Sequence, residues 1–275
     1  MKQKVKNIFL ETINKDIRTC KEMTNGFCNE NYAINDAFVL RLPKENSDET
    51  LNYKHEKLVY EKIEKLNISE KIVYFNEDNG VKISKFVHNA HQYKETPTNE
   101  QIGFVAKTIK KLHNSEIKVP FGYQMFYRLS VYKKELFEDE YINSKYEKSI
   151  IKEVQKIFAK DKMVLCHNDL VQNNLLFKFN SLVIIDWEYA GMNNPYFDLA
   201  SFISENNLNA EQEELFLKKY FGSKYNQLKK RRVETFIKFL DILFYYWALY
   251  YYKKRGDQIY KKIANDKLNR ILINL

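Results

Sequence analysis

Residues 166–177 read CHNDLVQNNLLF, and this polar stretch lies between two strand-like apolar segments at 163–167 and 182–186. A histidine, an aspartate and four amide side chains fill six of the eight positions from 167 to 174. Buried segments seldom collect so many groups that require hydrogen bonds. The stretch therefore predicts a loop with a chemical task, held between two strands.

The spacing of four polar residues indicates what that task is. His167, Asp169 and Asn174 form the pattern H-x-D-x-x-x-x-N, and Asp186 follows twelve residues later, at the end of an apolar run. On such a loop Asp169 can accept the proton of a substrate hydroxyl group, while Asn174 and Asp186 can offer oxygens to Mg²⁺, which prefers hard oxygen ligands. We expect His167 to orient this catalytic loop through hydrogen bonds. The layout is typical of phosphoryl transfer.

The three residues His-Asn-Asp at 167–169 have a simpler interpretation when they are taken alone. Asn and Asp commonly initiate turns and cap helices, so a His-Asn-Asp sequence could be an ordinary turn. The presence of Asn174 and Asp186 at the required spacing, between two apolar runs, favours the catalytic interpretation.

The first 90 residues show patterns of both helices and strands. Apolar residues recur at helical spacing over 5–17 and again over 51–66. The short runs YAI at 32–34 and FVLRLP at 38–43, joined by NDA, predict a hairpin, and 71–87 predicts two strands around the turn EDNG. This part of the chain is therefore expected to be a small α+β lobe.

From residue 99 the spacing is mostly helical. A first helix is expected to begin after a cap at Thr98 or Asn99, and a long amphipathic stretch covers 130–160. The segment 88–99 breaks the periodicity, so we expect two lobes, at 1–90 and 91–275. Further helices are predicted at about 209–221, at 228–255, and from there to the C-terminus.

Residues 166–206 strongly resemble the choline/ethanolamine kinase family, within the wider aminoglycoside-phosphotransferase-like and protein-kinase-like group. The distinctive part is IDWEYAG…N…FDLA…E, where protein kinases have Asp-Phe-Gly instead. The short chain and the segment FVLRLP look closer to the bacterial choline kinases. The resemblance implies the fold class α+β, a bilobal protein-kinase-like fold with a strand-rich nucleotide-binding N-lobe and a larger, mostly helical catalytic C-lobe. It also implies ATP and Mg²⁺ as cofactors.

The resemblance assigns roles to residues at matching positions. Asp169 would be the catalytic base, and Asn174 and Asp186 would hold Mg²⁺. The segment SKFV would be the hinge whose backbone binds adenine, with Lys85 and Val87 as the contacting residues.

Further nucleotide contacts are implied upstream. The segment TNGFCNENY at 24–32 would cover the phosphates, although Gly26 is its one glycine. Arg41 stands where kinases place the phosphate-pairing lysine, and Glu56 would be its ion-pair partner. Without the resemblance, such an arginine and glutamate would more often form a surface pair.

Aromatic residues make up 15% of the chain, including 20 Tyr, and they crowd the segment FYYWALYYY at 244–252. A quaternary ammonium group has no hydrogen to donate, so aromatic faces and a nearby carboxylate must recognise it. By resemblance, Trp247, Tyr250, Tyr189 and Glu205 occupy the positions of such a cage, and Trp247 and Tyr250 would share one helix face.

Aromatic residues at helical spacing usually belong to a core, and for Phe244, Tyr245 and Tyr246 that interpretation is favoured. Asp198 is expected to brace the loop that carries the cage residues.

Several functions remain open at this level. The first is an ATP-dependent choline kinase. The second is a kinase of ethanolamine, thiamine or an aminoglycoside, although a polycationic acceptor would require a pocket rich in Asp and Glu. The third is a nucleotide-binding scaffold without activity, which the retained Asp169, Asn174 and Asp186 argue against. The expected partner is a small-molecule substrate, and the oligomeric state is open.

Composition argues against several other classes of protein: disordered chains, nucleic-acid-binding proteins, membrane proteins and secreted proteins. Apolar residues make up 44% of the chain, enough for a core, and the net charge of +9 comes from lysines spread along helical segments rather than from a nucleic-acid-binding motif. The most apolar run, 236–252, is interrupted by Lys238 and Asp241, so we expect a buried or cleft-lining helix and no membrane insertion. The N-terminus lacks the apolar region of a signal peptide, and three scattered Cys fit a reducing cytoplasm.

Overall fold

A computed structural model describes residues 3–23, 29–44, 50–137 and 141–274 of the chain. The segment that was expected to cover the phosphates therefore lies only partly within it. Gly26, the predicted contact in that segment, lies outside the described residues.

The N-terminal part is an antiparallel sheet with the strand order β1-β2-β3-β5-β4. The predicted hairpin is confirmed, because Ile34 of β2 pairs with Phe38 of β3 across a tight turn. Asn35 and Asp36 adopt φ angles of 54° and 48° there, a left-handed conformation that these two residue types tolerate. The strands predicted around EDNG are also present. The strands are β1 (Cys20–Met23), β2 (Asn29–Ile34), β3 (Phe38–Pro43), β4 (Ile72–Phe75) and β5 (Lys82–Lys85).

Two helices accompany this sheet. Helix α1 (Gln3–Ile13) buries Val5 and Phe9 in a small core shared with the sheet. It is shorter than the predicted 5–17, because Asn14 adopts a left-handed φ of 53° that ends the helix. Helix α2 (Tyr53–Ile63), capped by the side chain of Asn52, faces the larger core of the molecule.

The rest of the chain is mainly helical, as predicted. The capping box at Thr98 starts the first of these helices. The amphipathic stretch at 130–160 is not one continuous helix. The first helix in it ends at Lys134, and Asn143 caps a second one. The helices are α3 (Asn99–His113), α4 (Met125–Lys134), α5 (Ser144–Phe158), α6 (Pro195–Glu205), α7 (Ala210–Phe221), α8 (Gln227–Arg255) and α9 (Gln258–Ile273).

Short strands hold the polar loop of residues 167–174. The two apolar segments around it are strands, but they do not pair with each other as neighbours. Instead β6 pairs with β9, and β8 pairs with β7, a strand that the polar pattern concealed. The polar loop therefore leaves one two-stranded sheet and enters another. These strands are β6 (Val164–Cys166), β7 (Leu175–Lys178), β8 (Ser181–Ile184) and β9 (Gly191–Asn193).

Helix α8 contains the most apolar run and is largely buried, with Phe236, Phe239 and Leu243 fully enclosed. The prediction of a buried or cleft-lining helix at 236–252 is confirmed. Within the described ranges, no helix combines the length and the apolar character that a membrane span requires. The division into lobes near residue 90 stays a prediction; β5 ends at Lys85 and α3 begins at Asn99.

Candidate active site

The backbone of the polar loop is anchored by a buried carboxylate. Asp198, in the first turn of α6, accepts the N–H of Asn168 at 2.7 Å and that of His167 at 2.9 Å. Its second oxygen also lies 2.9 Å from Nε2 of His113. Asp198 thus braces the catalytic loop directly. It is linked to the predicted cage residue Tyr189 through Asn168, whose side-chain amide donates to the carbonyl of Tyr189 at 3.0 Å, and it lies on the same helix as Glu205.

His167 is fully buried and connects the catalytic loop to the segment before Asp186. Its Nε2 donates to the carbonyl of Ile185 at 3.0 Å, and its Nδ1 accepts the N–H of Asp169 at 3.3 Å. Burial lowers the pKa of His167. A neutral imidazole held on both nitrogens by backbone groups can orient the loop, as the sequence suggested.

Asp169, Asn174 and Asp186 line one cavity. Asn174 lies in a short 3₁₀ turn, and its amide nitrogen donates to the Asp169 side chain at 2.8 Å and to the Asp169 carbonyl at 3.0 Å. Burial, and then the negative charge of Asp186, raise the pKa of Asp169 to about 7. A carboxyl group with a pKa near neutral pH, held by a neighbouring amide, is suited to proton transfer.

The donor atoms at this point fit Mg²⁺. Because Asn174 uses its amide nitrogen on Asp169, its amide oxygen is left for a cation. Asp186 follows β8 in a left-handed conformation (φ 64°), and its side chain is 33% exposed. One amide oxygen and one carboxylate at the edge of an open cavity are the hard ligands that Mg²⁺ takes.

Arg41 of β3 and Glu56 of α2 form a buried bidentate ion pair, with both N–O distances at 2.7 Å. Burial alone would raise the pKa of Glu56, but the charges of Arg41 and Lys82 hold it below its usual value. Arg41 also lies 3.4 Å from Asp186, so it links the sheet to the edge of the cavity where Asp186 lies. Its Nε is buried without a hydrogen-bond partner among the residues that the structure describes.

Lys82 is a buried cation that the sequence analysis missed. It lies directly opposite Arg41 in the β3–β5 register. Its Nζ contacts the hydroxyl of Tyr60 at 2.7 Å, Glu56 at 3.2 Å and Glu70 at 3.3 Å. The alternation of Val81, Lys82 and Ile83 predicts only that Lys82 lies on the opposite face of the strand from its neighbours, and it carries no signal that this face is buried too.

A cavity of about 410 Å³ lies between this ion pair and the predicted hinge. The N–H groups of Lys85 and Phe86 are already donated, to Lys71 and Ala37 respectively. The N–H of Val87 has no such partner in the described part of the chain. The side chain of Lys85 lies over the ring of Phe38 at 4.2 Å, so it is the backbone of Lys85 and not its side chain that we would expect to contact a ligand.

A second cavity, of about 290 Å³, contains three of the four predicted cage residues: Tyr189, Glu205 and Trp247. Tyr250 does not line it. Tyr250 is 5% exposed and packs on Tyr132, with ring centroids 5.5 Å apart, because the turn of α8 directs it toward α4. Tyr132 itself lines the cavity.

Phe244 lines the cavity too, one turn before Trp247, although the sequence favoured a core position for it. For Tyr245 and Tyr246 the core assignment is confirmed, since they are 7% and 0% exposed. Tyr123 completes the aromatic wall and meets Tyr189 edge to face.

The two cavities meet at the catalytic loop. Asn31, Asn173, Asn174 and Asp186 line both of them. The aromatic cavity also contains Asp169. A ligand in the first cavity and a ligand in the second would therefore approach each other at these residues.

Known proteins resemble this chain in sequence and in fold. A family model described as choline/ethanolamine kinase matches residues 20–251. Protein LicA of Haemophilus influenzae is 26% identical over 240 residues, covering 81% of this chain and 70% of that protein.

Two solved structures share the fold. Choline kinase LicA from Streptococcus pneumoniae superposes with a TM-score of 0.84 at 19% identity, covering 99% of this chain and 97% of that one. The aminoglycoside phosphotransferase APH(2'')-Ib with ADP bound superposes with a TM-score of 0.64 at 18% identity, covering 98% and 97%. The expected α+β, bilobal protein-kinase-like fold class is confirmed.

Proposed function

Because this chain belongs to the choline/ethanolamine kinase family and is a small-molecule kinase, we propose that it transfers the γ-phosphoryl group of ATP to the hydroxyl group of choline. One observation carries the proposal. A cavity with a hinge and a buried Arg41–Glu56 pair meets an aromatic cavity at Asn174 and Asp186, and Asp169 lines the aromatic cavity beside them.

The first cavity is the proposed ATP site. Val87 offers a backbone N–H and Lys85 a carbonyl, which match the acceptor and donor on the edge of adenine. Buried donors are seldom left unpaired, and a phosphate oxygen would satisfy the Nε of Arg41. A phosphotransferase of the same fold holds ADP, which supports a nucleotide as the donor.

In the proposed reaction, the bond between the γ-phosphorus and its bridging oxygen breaks as the choline oxygen bonds to the phosphorus. The hydroxyl proton passes to Asp169, and ADP carries the negative charge of the leaving oxygen. Asn174 holds the Asp169 carboxylate in place. Mg²⁺, held by Asn174 and Asp186, would supply positive charge beside the phosphate oxygens.

The aromatic cavity is the proposed choline site. Its faces come from Tyr132, Tyr189, Phe244 and Trp247, and a trimethylammonium group is attracted to such faces without needing hydrogen bonds. The related solved structure is named a choline kinase. Ethanolamine is the second candidate, because the family description includes it. A polycationic aminoglycoside is less favoured because, of the four carboxylates that line the cavity, Asp169 and Asp186 are assigned to catalysis and to Mg²⁺, and Glu188 lies 3.7 Å from Arg41.

The test is ADP release with Mg-ATP and a panel of acceptors: choline, ethanolamine, thiamine, kanamycin and none. We expect turnover with choline well above that with ethanolamine, and only background release without an acceptor. Turnover with thiamine or kanamycin instead would retain the catalytic residues and reject choline as the acceptor. No turnover with any acceptor, despite measurable ATP binding, would support the scaffold interpretation.

Trp247→Ala should raise the KM for choline by about tenfold or more, because a desolvated cation–π contact contributes about 2 kcal/mol and each 1.4 kcal/mol is tenfold. The KM for ATP should stay unchanged, since Trp247 lines only the aromatic cavity. Steady-state kinetics in both substrates measure this. Trp247→Phe, which keeps an aromatic face, is the matched control and should lose much less. Equal increases in both KM values would mean that the core is disturbed.

A further inference from the structure

We propose that Lys267 is a specificity-determining residue, which pairs with Glu205 so that the acceptor cavity favours a quaternary over a primary ammonium group. This inference rests on the proposed function, because it concerns the acceptor that the kinase selects. It assigns a role to α9, which carries none of the residues predicted from the sequence.

The geometry places Lys267 directly behind the aromatic cavity. Its Nζ lies 2.5 Å from Oε1 of Glu205 and 3.3 Å from Oδ1 of Asp241. It also lies 5.4 Å from the ring centroid of Phe244, which lines the cavity. The side chain of Lys267 is 6% exposed, so solvent screens these contacts little.

The pair is held by a wider network of charges. Arg270, one turn further along α9, lies 3.6 Å from Asp241 and donates to the carbonyl of Ser204. A buried ammonium group is costly unless it is paired. The two cations of α9 and the two carboxylates, Glu205 and Asp241, therefore balance each other and fix where the Lys267 ammonium lies.

This pairing changes what Glu205 can offer a substrate. Its Oε1 already accepts from Lys267 and from the hydroxyl of Ser204, and its negative charge is balanced by a neighbouring ammonium. A primary ammonium group has three N–H donors that need acceptors, whereas a trimethylammonium group has none. Paired in this way, Glu205 offers a primary ammonium group only its second oxygen and a charge that Lys267 already balances, whereas the attraction of a trimethylammonium group to the aromatic faces needs no acceptor.

Removing the ammonium of Lys267 while keeping the volume should weaken that preference. Lys267→Met removes the cation that balances Glu205, and a hydrogen bond to a charged group contributes more than 1.4 kcal/mol, which is tenfold. The ratio of kcat/KM for ethanolamine to that for choline should therefore rise about tenfold or more. The KM for ATP should not change. Lys267→Arg, which keeps the charge, is the matched control and should retain the original ratio.

The possible outcomes separate the inference from the proposed function. An unchanged ratio in Lys267→Met, or an equal shift in Lys267→Arg, would overturn the inference and leave choline phosphorylation standing. Turnover of neither acceptor by the wild-type protein would overturn the proposed function and the inference with it. If Lys267→Met does not fold, the double variant Lys267→Met/Asp241→Asn removes the second carboxylate as well, and the same increase in the ratio is expected.

Discussion

Replacing Asp169 with asparagine is expected to lower kcat for the acceptor by about 10²–10⁴-fold, the usual contribution of a general base. Asparagine has nearly the same shape but cannot take the hydroxyl proton. Asp169 lines the aromatic cavity and not the nucleotide cavity, so the affinity for ATP should change little. The pKa of about 7 that burial and Asp186 give this carboxyl marks it as the group suited to the proton transfer.

The measurement is steady-state turnover together with ATP binding by calorimetry. Asp78→Asn is the matched control, because the Asp78 side chain is 82% exposed on the turn between β4 and β5. It makes the same chemical change away from the cavities and should retain full activity. If the Asp169→Asn protein keeps the wild-type rate, Asp169 is not the general base.

Replacing Asp198 with alanine should affect both stability and activity. The substitution leaves the N–H groups of His167 and Asn168 and the His113 ring without their buried acceptor. Each buried donor that is left without an acceptor costs about 1–3 kcal/mol, so the three groups together should cost several kcal/mol. For a chain of this size each kcal/mol lowers Tm by roughly 2–4 °C, so a decrease on the order of 10 °C is expected.

The activity of the folded Asp198→Ala protein should also fall. Asn168 holds a left-handed φ of 67°, and the carboxylate of Asp198 fixes the backbone on which Asp169 depends. Thermal unfolding by circular dichroism, with kcat measured well below Tm, separates the two effects. Asp161→Ala is the control, since its pair with Arg232 is partly exposed and should contribute at most about 1 kcal/mol. Similar Tm losses in both variants would contradict the bracing role.

The catalytic loop could be found from the sequence because its geometry is local. Asp169 and Asn174 are five residues apart, and one short turn brings the amide of Asn174 to the carboxylate of Asp169. Trp247 could be placed in the aromatic cavity from the family pattern. The hairpin of β2 and β3 could be predicted equally well, because its turn is made by adjacent residues with known conformational preferences.

Contacts between distant elements could not be predicted from the sequence in the same way. Helical spacing placed Trp247 and Tyr250 on one face of α8, but packing against α4 directs Tyr250 behind Tyr132 and turns Phe244 into the cavity. The pairing of β6 with β9 instead of β8 depends on the path of the chain after Asp186. Periodicity cannot report how a helix is rotated against its neighbours.

The family and the fold class could be predicted from short-range spacing and characteristic residue types, and the same spacing predicted that Asp169 and Asn174 lie close together. The pairing of charges, by contrast, depends on contacts between distant parts of the chain. Lys82 contacts Glu56 across 26 residues, and Lys267 contacts Glu205 across 62. Such pairs form where separate helices and strands bury one another. A buried charge is costly without a partner, whereas water can solvate an exposed charge that has none. The charge that the acceptor meets is therefore set by the assembled fold.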